Sequence, residues 1–167
     1  MYSIFPRQSQ GVNLFELLQR RPARVLFVCL GNACRSQMAE GFARAYGSDI
    51  LESHSAGISP AARISRRACA VMAEKGVSLA TGFSPKNIST FNLDDLDLIV
   101  NLSEYSLPRT STLMLTRVLR DPMEGDMDAF RDVREDIEQL VRCMIEHFRF
   151  ARRWANPLYS EECGAAV

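Results

Sequence analysis

Lysine is almost missing from this chain. Of 20 basic residues, 18 are Arg and only Lys75 and Lys86 are Lys. An excess of either charge is missing too: 20 basic side chains face 20 acidic ones, for a net charge of zero. That balance excludes a general electrostatic attraction to nucleic acid or to an anionic membrane, and leaves room only for a local basic pocket. No long hydrophobic run exists. The longest uninterrupted apolar stretch is Val25 to Leu30, far short of the roughly 20 residues a membrane helix needs. The N-terminus lacks a basic segment followed by an apolar core and a small-residue cleavage site, so the expectation is a soluble, cytoplasmic protein. A disulfide framework is also excluded. The 5 cysteines are odd in number and irregularly spaced, which turns attention to the chemistry of reduced thiols. There is no internal repeat, low-complexity tract or long linker.

What is present fits one globular domain. The chain has 167 residues, 47% of them hydrophobic and 24% charged, enough to bury a core without a staple. Residues 1–23 read as an extension, with a short helix over 12–19. Residues 24–153 form the body and 154–167 a tail. Arg24 to Cys29 is a continuously apolar, β-branched run, the pattern of a strand buried on both faces. Ser36 to Ala45 follows as a helix closed by Gly47. Further strands are expected at Ile50–Ser55, Asp97–Leu102 and Thr116–Leu119, and a second helix at Arg63–Lys75. A long helix over Asp126–Arg153 carries Val133, Ile137, Leu140, Val141, Met144 and Phe148 as one stripe. Alternating strands and helices predict an α/β fold: a three-layer sandwich whose parallel sheet is flanked by helices on both faces. Ligands in such folds lie beyond the carboxyl ends of the strands, and Cys29 ends the first strand.

The segment Cys29-Leu30-Gly31-Asn32-Ala33-Cys34-Arg35-Ser36 carries the chemistry. A thiol, a short turn and an arginine at a helix start suit a phosphate-sized oxyanion. The backbone N–H groups of Leu30, Gly31, Asn32, Ala33 and Cys34 can curl into an anion nest, and the helix N-terminus adds donors and partial positive charge. Arg35 can grip two oxygens through its planar fork. Gly31 lets the backbone approach closely, and Asn32 tolerates a left-handed turn. The same surroundings favour a thiolate at Cys29, and Ser36 is placed to hydrogen-bond the sulfur. Spacing alone carries little weight, because Cys143 and Arg149 repeat it inside the long helix. There, no glycine turn and no free amides accompany it. The Arg63, Arg66 and Arg67 group reads as a solvated helix face, with docking of a phosphorylated partner as the other reading. His54, His147 and Cys69 read as surface or packing residues.

The run Val25 to Glu40, with Ser55-Ala56-Gly57 and Asp121-Pro122 in the same order, resembles the low-molecular-weight protein tyrosine phosphatase superfamily. Thioredoxin-coupled arsenate reductases belong to it as well. The resemblance covers about residues 24–150. It implies a twisted four-stranded parallel sheet and a phosphomonoesterase that works through a phosphocysteine at Cys29. It further implies that Arg35 and the loop amides hold the oxyanion, that Asp121 is the general acid and base, and that Pro122 fixes the Asp121 loop. Asn32 and Ser55 would order the anion loop, and Ser36 would assist the sulfur. No metal or cofactor is required, and the partners would be phosphorylated proteins or small phosphomonoesters. Taken without the resemblance, Asp121-Pro122 reads as an ordinary turn.

Three features depart from the phosphatase pattern. Gln37 stands where proline follows Arg-Ser, and Met123 where an aromatic follows Asp-Pro. The segments Gln37–Gly41 and Phe130–Ile137 are closer to the arsenate-reductase branch. That branch passes a disulfide through two further cysteines, at positions held here by Ser103 and Thr110; Cys34 is the one candidate redox partner. Phosphatase chemistry is therefore the leading expectation. Arsenate reduction, with thioredoxin or glutaredoxin as partner, and a non-catalytic phosphoprotein sensor are the alternatives.

Overall fold

The computed structural model describes residues 22–79 and 82–154. The helix expected over 12–19 and the tail from 155 onward, Cys163 included, lie outside the described residues. A four-stranded, all-parallel sheet forms the centre, in the order β2-β1-β3-β4. Its strands are β1 (Ala23–Cys29), β2 (Leu51–Gly57), β3 (Leu98–Asn101) and β4 (Leu113–Thr116). Three helices accompany them: α1 (Arg35–Gly47), α2 (Arg66–Ala73) and α3 (Met127–Trp154).

β1 lies between two neighbours, which explains its unbroken apolar sequence. Side chains alternate across a strand, so Val25, Phe27 and Cys29 join the core beneath the three helices. Leu26 and Val28 join a second core with Ala56, Ile88 and Ile99 on the opposite face. Two single-turn 3-10 helices, Ile88–Thr90 and Leu93–Asp95, cover that second face. One outer layer of the sandwich is thus thick and α-helical, the other thin. On the thick side, Phe130, Ile137, Val141 and Met144 of α3 are wholly buried against Met38 and Phe42 of α1. Each such side chain contributes roughly 1.5–3 kcal/mol of hydrophobic stabilisation.

Element boundaries shift in physically interpretable ways. α2 is shorter than the expected Arg63–Lys75, because Ser65 caps it by accepting from Ala68 N and Gly76, with φ of +72°, ends it. α3 starts at Met127 because Asp126 caps it, accepting from Ala129 N at 3.0 Å. The fourth strand is Leu113–Thr116 and not Thr116–Leu119. Its register, Leu98↔Leu113 to Asn101↔Thr116, frees 117–121 to leave the sheet edge and reach back toward the end of β1.

Candidate active site

β1 ends at Cys29 and α1 begins at Arg35, so the intervening turn lies beyond the carboxyl end of the central strand. Backbone hydrogen bonding sets its shape. Four consecutive contacts come from the segment after β2: Ile58 N to Cys29 O at 3.1 Å, and Ser59 N to Leu30 O, Ala61 N to Gly31 O and Ser65 N to Ala33 O, each at 2.9 Å. With these carbonyls drawn outward, the N–H groups of the turn are left to face the other way, as an anion nest requires. Asn32 has φ of +46°, the left-handed residue the turn needs. Cys34 occupies the N-cap of α1 without a side-chain cap bond, and the first turn of α1 holds no acidic residue. The helix start is therefore open to an external anion.

Gly31 does not have the role expected of it. A Cβ there would meet only Ala33 and Ala61, both at 4.0 Å. The close approach is at Gly57, where a Cβ would come within 2.8 Å of Leu30 O and 2.9 Å of Asn32 N. A side chain at 57 would push on the backbone of the turn itself.

A directional hydrogen-bond network stands behind the turn. Lys86 N at 2.7 Å and Gln37 Nε2 at 3.1 Å both donate to Asn32 Oδ1. Asn32 Nδ2 donates to Ser36 Oγ and Ser55 Oγ, each at 2.9 Å. The Ser55 hydroxyl in turn donates to Glu40 Oε2. Since Ser36 Oγ accepts from Asn32, its own hydrogen is free for the Cys29 sulfur, 3.0 Å away. Cys29, Asn32, Ser36, Ser55, Gln37 and Glu40 are all buried.

Arg35 reaches the other wall. Its Nη1 donates to Leu119 O at 3.0 Å and its Nη2 pairs with Asp121 Oδ2. Arg35 Nε is buried and has no partner, which leaves a donor for an incoming anion. Asp121 is half-exposed and holds Met123 N at 3.1 Å through Oδ1; Pro122 beside it is buried. A cleft of about 220 Å³ opens here, lined by Leu30, Arg35, Ser103, Glu104, Tyr105 and residues 118–121. Leu30 and Arg35 of the turn line this opening, and Cys29, which precedes Leu30, is only 2% exposed.

Sequence reading thus named Cys29, Asn32, Arg35, Ser36, Ser55 and Asp121, and the structure brings all six together. Cys34 does not line the cleft; like Cys29 it belongs to the apolar core under the helices. Burial pushes its thiol far up, Cys29 and Asp121 nearby add to that, and Arg35 and Arg67 oppose it. Lys86 escaped functional notice, and Gln37, Glu40, Gly57 and the 58–65 segment were noted without the contacts that brace the turn. Glu40 left a sequence signal of its own, an acidic residue one turn after Ser36. His54 lies aside, on Glu52 at 3.2 Å and against the Phe91 ring. Among the described residues no cluster of three potential metal ligands occurs, and no helix is long and apolar enough to cross a membrane.

Known proteins share this architecture. A family model described as low molecular weight phosphotyrosine protein phosphatase matches residues 24–152. A glutaredoxin arsenate reductase from Synechocystis sp. is 35% identical over 127 residues, covering 73% of this chain and 95% of that protein. A protein-arginine-phosphatase from Bacillus subtilis is 27% identical over 148 residues, covering 77% and 99% respectively. A solved structure described as an arsenate reductase in the phosphate binding state aligns with a TM-score of 0.70 at 33% identity, over 75% of this chain and 98% of that one.

Proposed function

Because this chain belongs to the low molecular weight phosphotyrosine protein phosphatase family, whose enzymes work through a cysteine, we propose that it hydrolyses phosphomonoesters through a phosphocysteine at Cys29. The arriving phosphoryl group takes Arg35 Nη2 and the unpartnered Nε, and releases Asp121 from its ion pair. Loop amides and Arg35 hold the three equatorial oxygens. The Cys29 sulfur attacks phosphorus in line; the S–P bond forms as the bond to the leaving oxygen breaks. Once released, Asp121 takes up a proton from solvent and donates it to that oxygen, then accepts one from the water that cleaves the S–P bond. Cys29 leaves as the free sulfur anion, stabilised by the Ser36 hydroxyl.

One observation carries hydrolysis over reduction: no resolving thiol faces the cleft among the described residues. Ser103 and Thr110 stand at the two relay positions. Ser103 is buried and donates to Asn101 Oδ1 at 2.8 Å, and Thr110 donates to Asp94 at 2.7 Å. Cys34 is the neighbouring thiol, but burial holds it protonated, and a thiol attacks far more slowly than a thiolate. The arsenate-reductase names of several relatives favour the second reading, in which the same cradle binds arsenate and a glutaredoxin or thioredoxin supplies electrons.

The deciding experiment measures aryl phosphate hydrolysis and arsenate-dependent oxidation of glutaredoxin and thioredoxin on one preparation. Hydrolysis without arsenate reduction is expected. Cys29→Ser should abolish turnover, and Asp121→Asn should lower kcat by about 10²–10⁴-fold. Reductase turnover that persists in Cys34→Ser would defeat the phosphatase reading. Phosphate binding with no turnover of either kind would make the protein a sensor.

A further inference from the structure

The segment that follows β2 is rich in arginine and free of carboxylate. Between Glu52 and Glu74 the chain has no carboxylate, yet it carries Arg63, Arg66 and Arg67. This stretch is the one that clamps the anion loop. Arg63 lies between Ala61 and Ser65, which donate to Gly31 O and Ala33 O. Arg67 donates to Met123 O at 2.7 Å and also to Gly125 O, so the first turn of α2 adjoins the segment bearing Asp121. Arg67 is further occupied by the Phe130 ring, 4.7 Å away.

Arg63 and Arg66 differ from the arginines of α1 and α3. Both are exposed, and neither makes an ion pair or hydrogen bond among the described residues. By contrast Arg44, Arg131, Arg134, Arg142 and Arg149 each pair with a carboxylate. Arg66 also occupies the first position of α2, where a positive charge opposes the helix dipole. α3 shows the favourable arrangement, with Asp128 in its first turn and Arg152 and Arg153 in its last. An uncompensated, locally unfavourable charge beside a cleft is where a functional demand outweighs stability. The cleft itself is mixed in charge, lined by Arg35, Glu104, Arg120 and Asp121. The 53–73 stretch carries one sign only, although the whole chain is neutral.

We propose that Arg63 and Arg66 form a docking surface for carboxylates flanking the phosphorylated residue of a protein substrate. The proposal rests on the phosphatase reading and narrows it to acidic phosphoproteins. Two exposed ion pairs at about 0.2–1 kcal/mol each give an acidic-flanked substrate an advantage of roughly 2- to 30-fold at low salt. That advantage should shrink as salt screens it.

The test compares kcat/KM for phosphotyrosyl peptides of equal length with Glu-rich, neutral and Lys-rich flanks, with an aryl phosphate as the small reference substrate. The expected order is Glu-rich, neutral, Lys-rich, converging at high salt. Arg63→Glu/Arg66→Glu should reverse the order and leave aryl phosphate turnover within about twofold of wild type. Arg63→Lys/Arg66→Lys should retain the order, which separates charge from misfolding. Equal kcat/KM across the three flanks, or an order untouched by the Glu substitutions, overturns the proposal. If aryl phosphate is not turned over at all, the phosphatase reading fails. Fluorescence anisotropy of the same peptides on wild type then decides: tighter binding of the Glu-rich peptide, lost in the double Glu variant, supports docking, and equal binding refutes it.

Discussion

A strand-to-helix turn becomes an anion cradle only when something else takes its carbonyls, and single residues decide whether that happens. Gly57 is the most exacting of them. Its absent Cβ is what allows β2's end to lie against Leu30 O and Asn32 N. Those are backbone atoms that cannot rotate away. Gly57→Ala should therefore shift the turn, lowering aryl phosphate kcat/KM at least about tenfold while costing about 1–3 kcal/mol of stability, the usual range for overpacking. Kinetics and denaturant melts on the same variant check this; unchanged kinetics would mean the turn does not depend on that contact. Cys34 makes the converse point. It adjoins Arg35 in sequence and, like Cys29, sits in the apolar core, but burial pushes its thiol far up. Iodoacetate, an anion with an electrophilic carbon, should label Cys29 and leave Cys34 unlabelled from pH 6 to 9, as read by peptide mass mapping. Comparable labelling of Cys34 would show that it is accessible and ionised. Asn32 and Arg35 were recognisable from sequence because a left-handed turn residue and a forked cation leave few substitutes. The contacts of Gly57 and of the Lys86 amide were not, because they span 25 or more residues and run through backbone atoms that every residue has.

Among the elements, the three helices end in different ways, and the differences track their tasks. α2 and α3 have side-chain caps at Ser65 and Asp126; α1 has none, which leaves its first amides without a capping side chain. α2 is held to α3 by charge. Glu74, just past the end of α2, takes Arg131 Nη2 at 2.7 Å and Arg134 Nη1 at 2.6 Å. Hydrogen bonds from Arg131 and then Arg134 draw its carboxyl from an ordinary 4.5 down to about 2. A carboxylate whose folded pKa is depressed contributes stability that is complete above its unfolded pKa and lost as pH falls toward the folded one. Glu74 should accordingly contribute above about pH 4.5 and lose that contribution between there and pH 2. The difference between wild-type and Glu74→Gln urea midpoints should be largest near neutrality, vanish across that window and diminish in high salt, since Glu74 and Arg131 are exposed. A pH-independent difference would mean that the ion pairs do not link the helices. The sequence showed β1 and α3 clearly because length and periodicity pointed the same way. β4 was misplaced by three residues because both Leu113–Thr116 and Thr116–Leu119 suit an edge strand. Only pairing with β3 distinguishes them, and pairing is not a local property. The 3-10 turns over the second core were missed for a related reason: single turns carry no period.

At the scale of the whole molecule, the anion turn is a junction of nearly every element. It continues β1, starts α1, receives the 58–65 segment, is braced by Lys86 N and Gln37, and is joined through Arg35 to Leu119 and Asp121 beyond β4. An anion bound there satisfies the open helix start and Arg35 Nε, groups that the unfolded chain does not present together. Binding to the folded state alone stabilises it by RT ln(1 + [L]/Kd), about 2.7 kcal/mol at 100 times Kd. For a domain of this size that is about 5–10 °C in Tm. Inorganic phosphate at saturating concentration should therefore raise Tm by about that amount, and arsenate should do the same because the tetrahedral head group is alike. Chloride at equal ionic strength should not. Arg35→Lys keeps the charge but loses the fork and the Nε donor, so it should lose most of the phosphate-induced shift. Scanning calorimetry of both proteins in phosphate, arsenate and chloride gives the answer. An equal shift in chloride, or a full shift in Arg35→Lys, would mean that the stabilising anion binds somewhere other than the turn between β1 and α1.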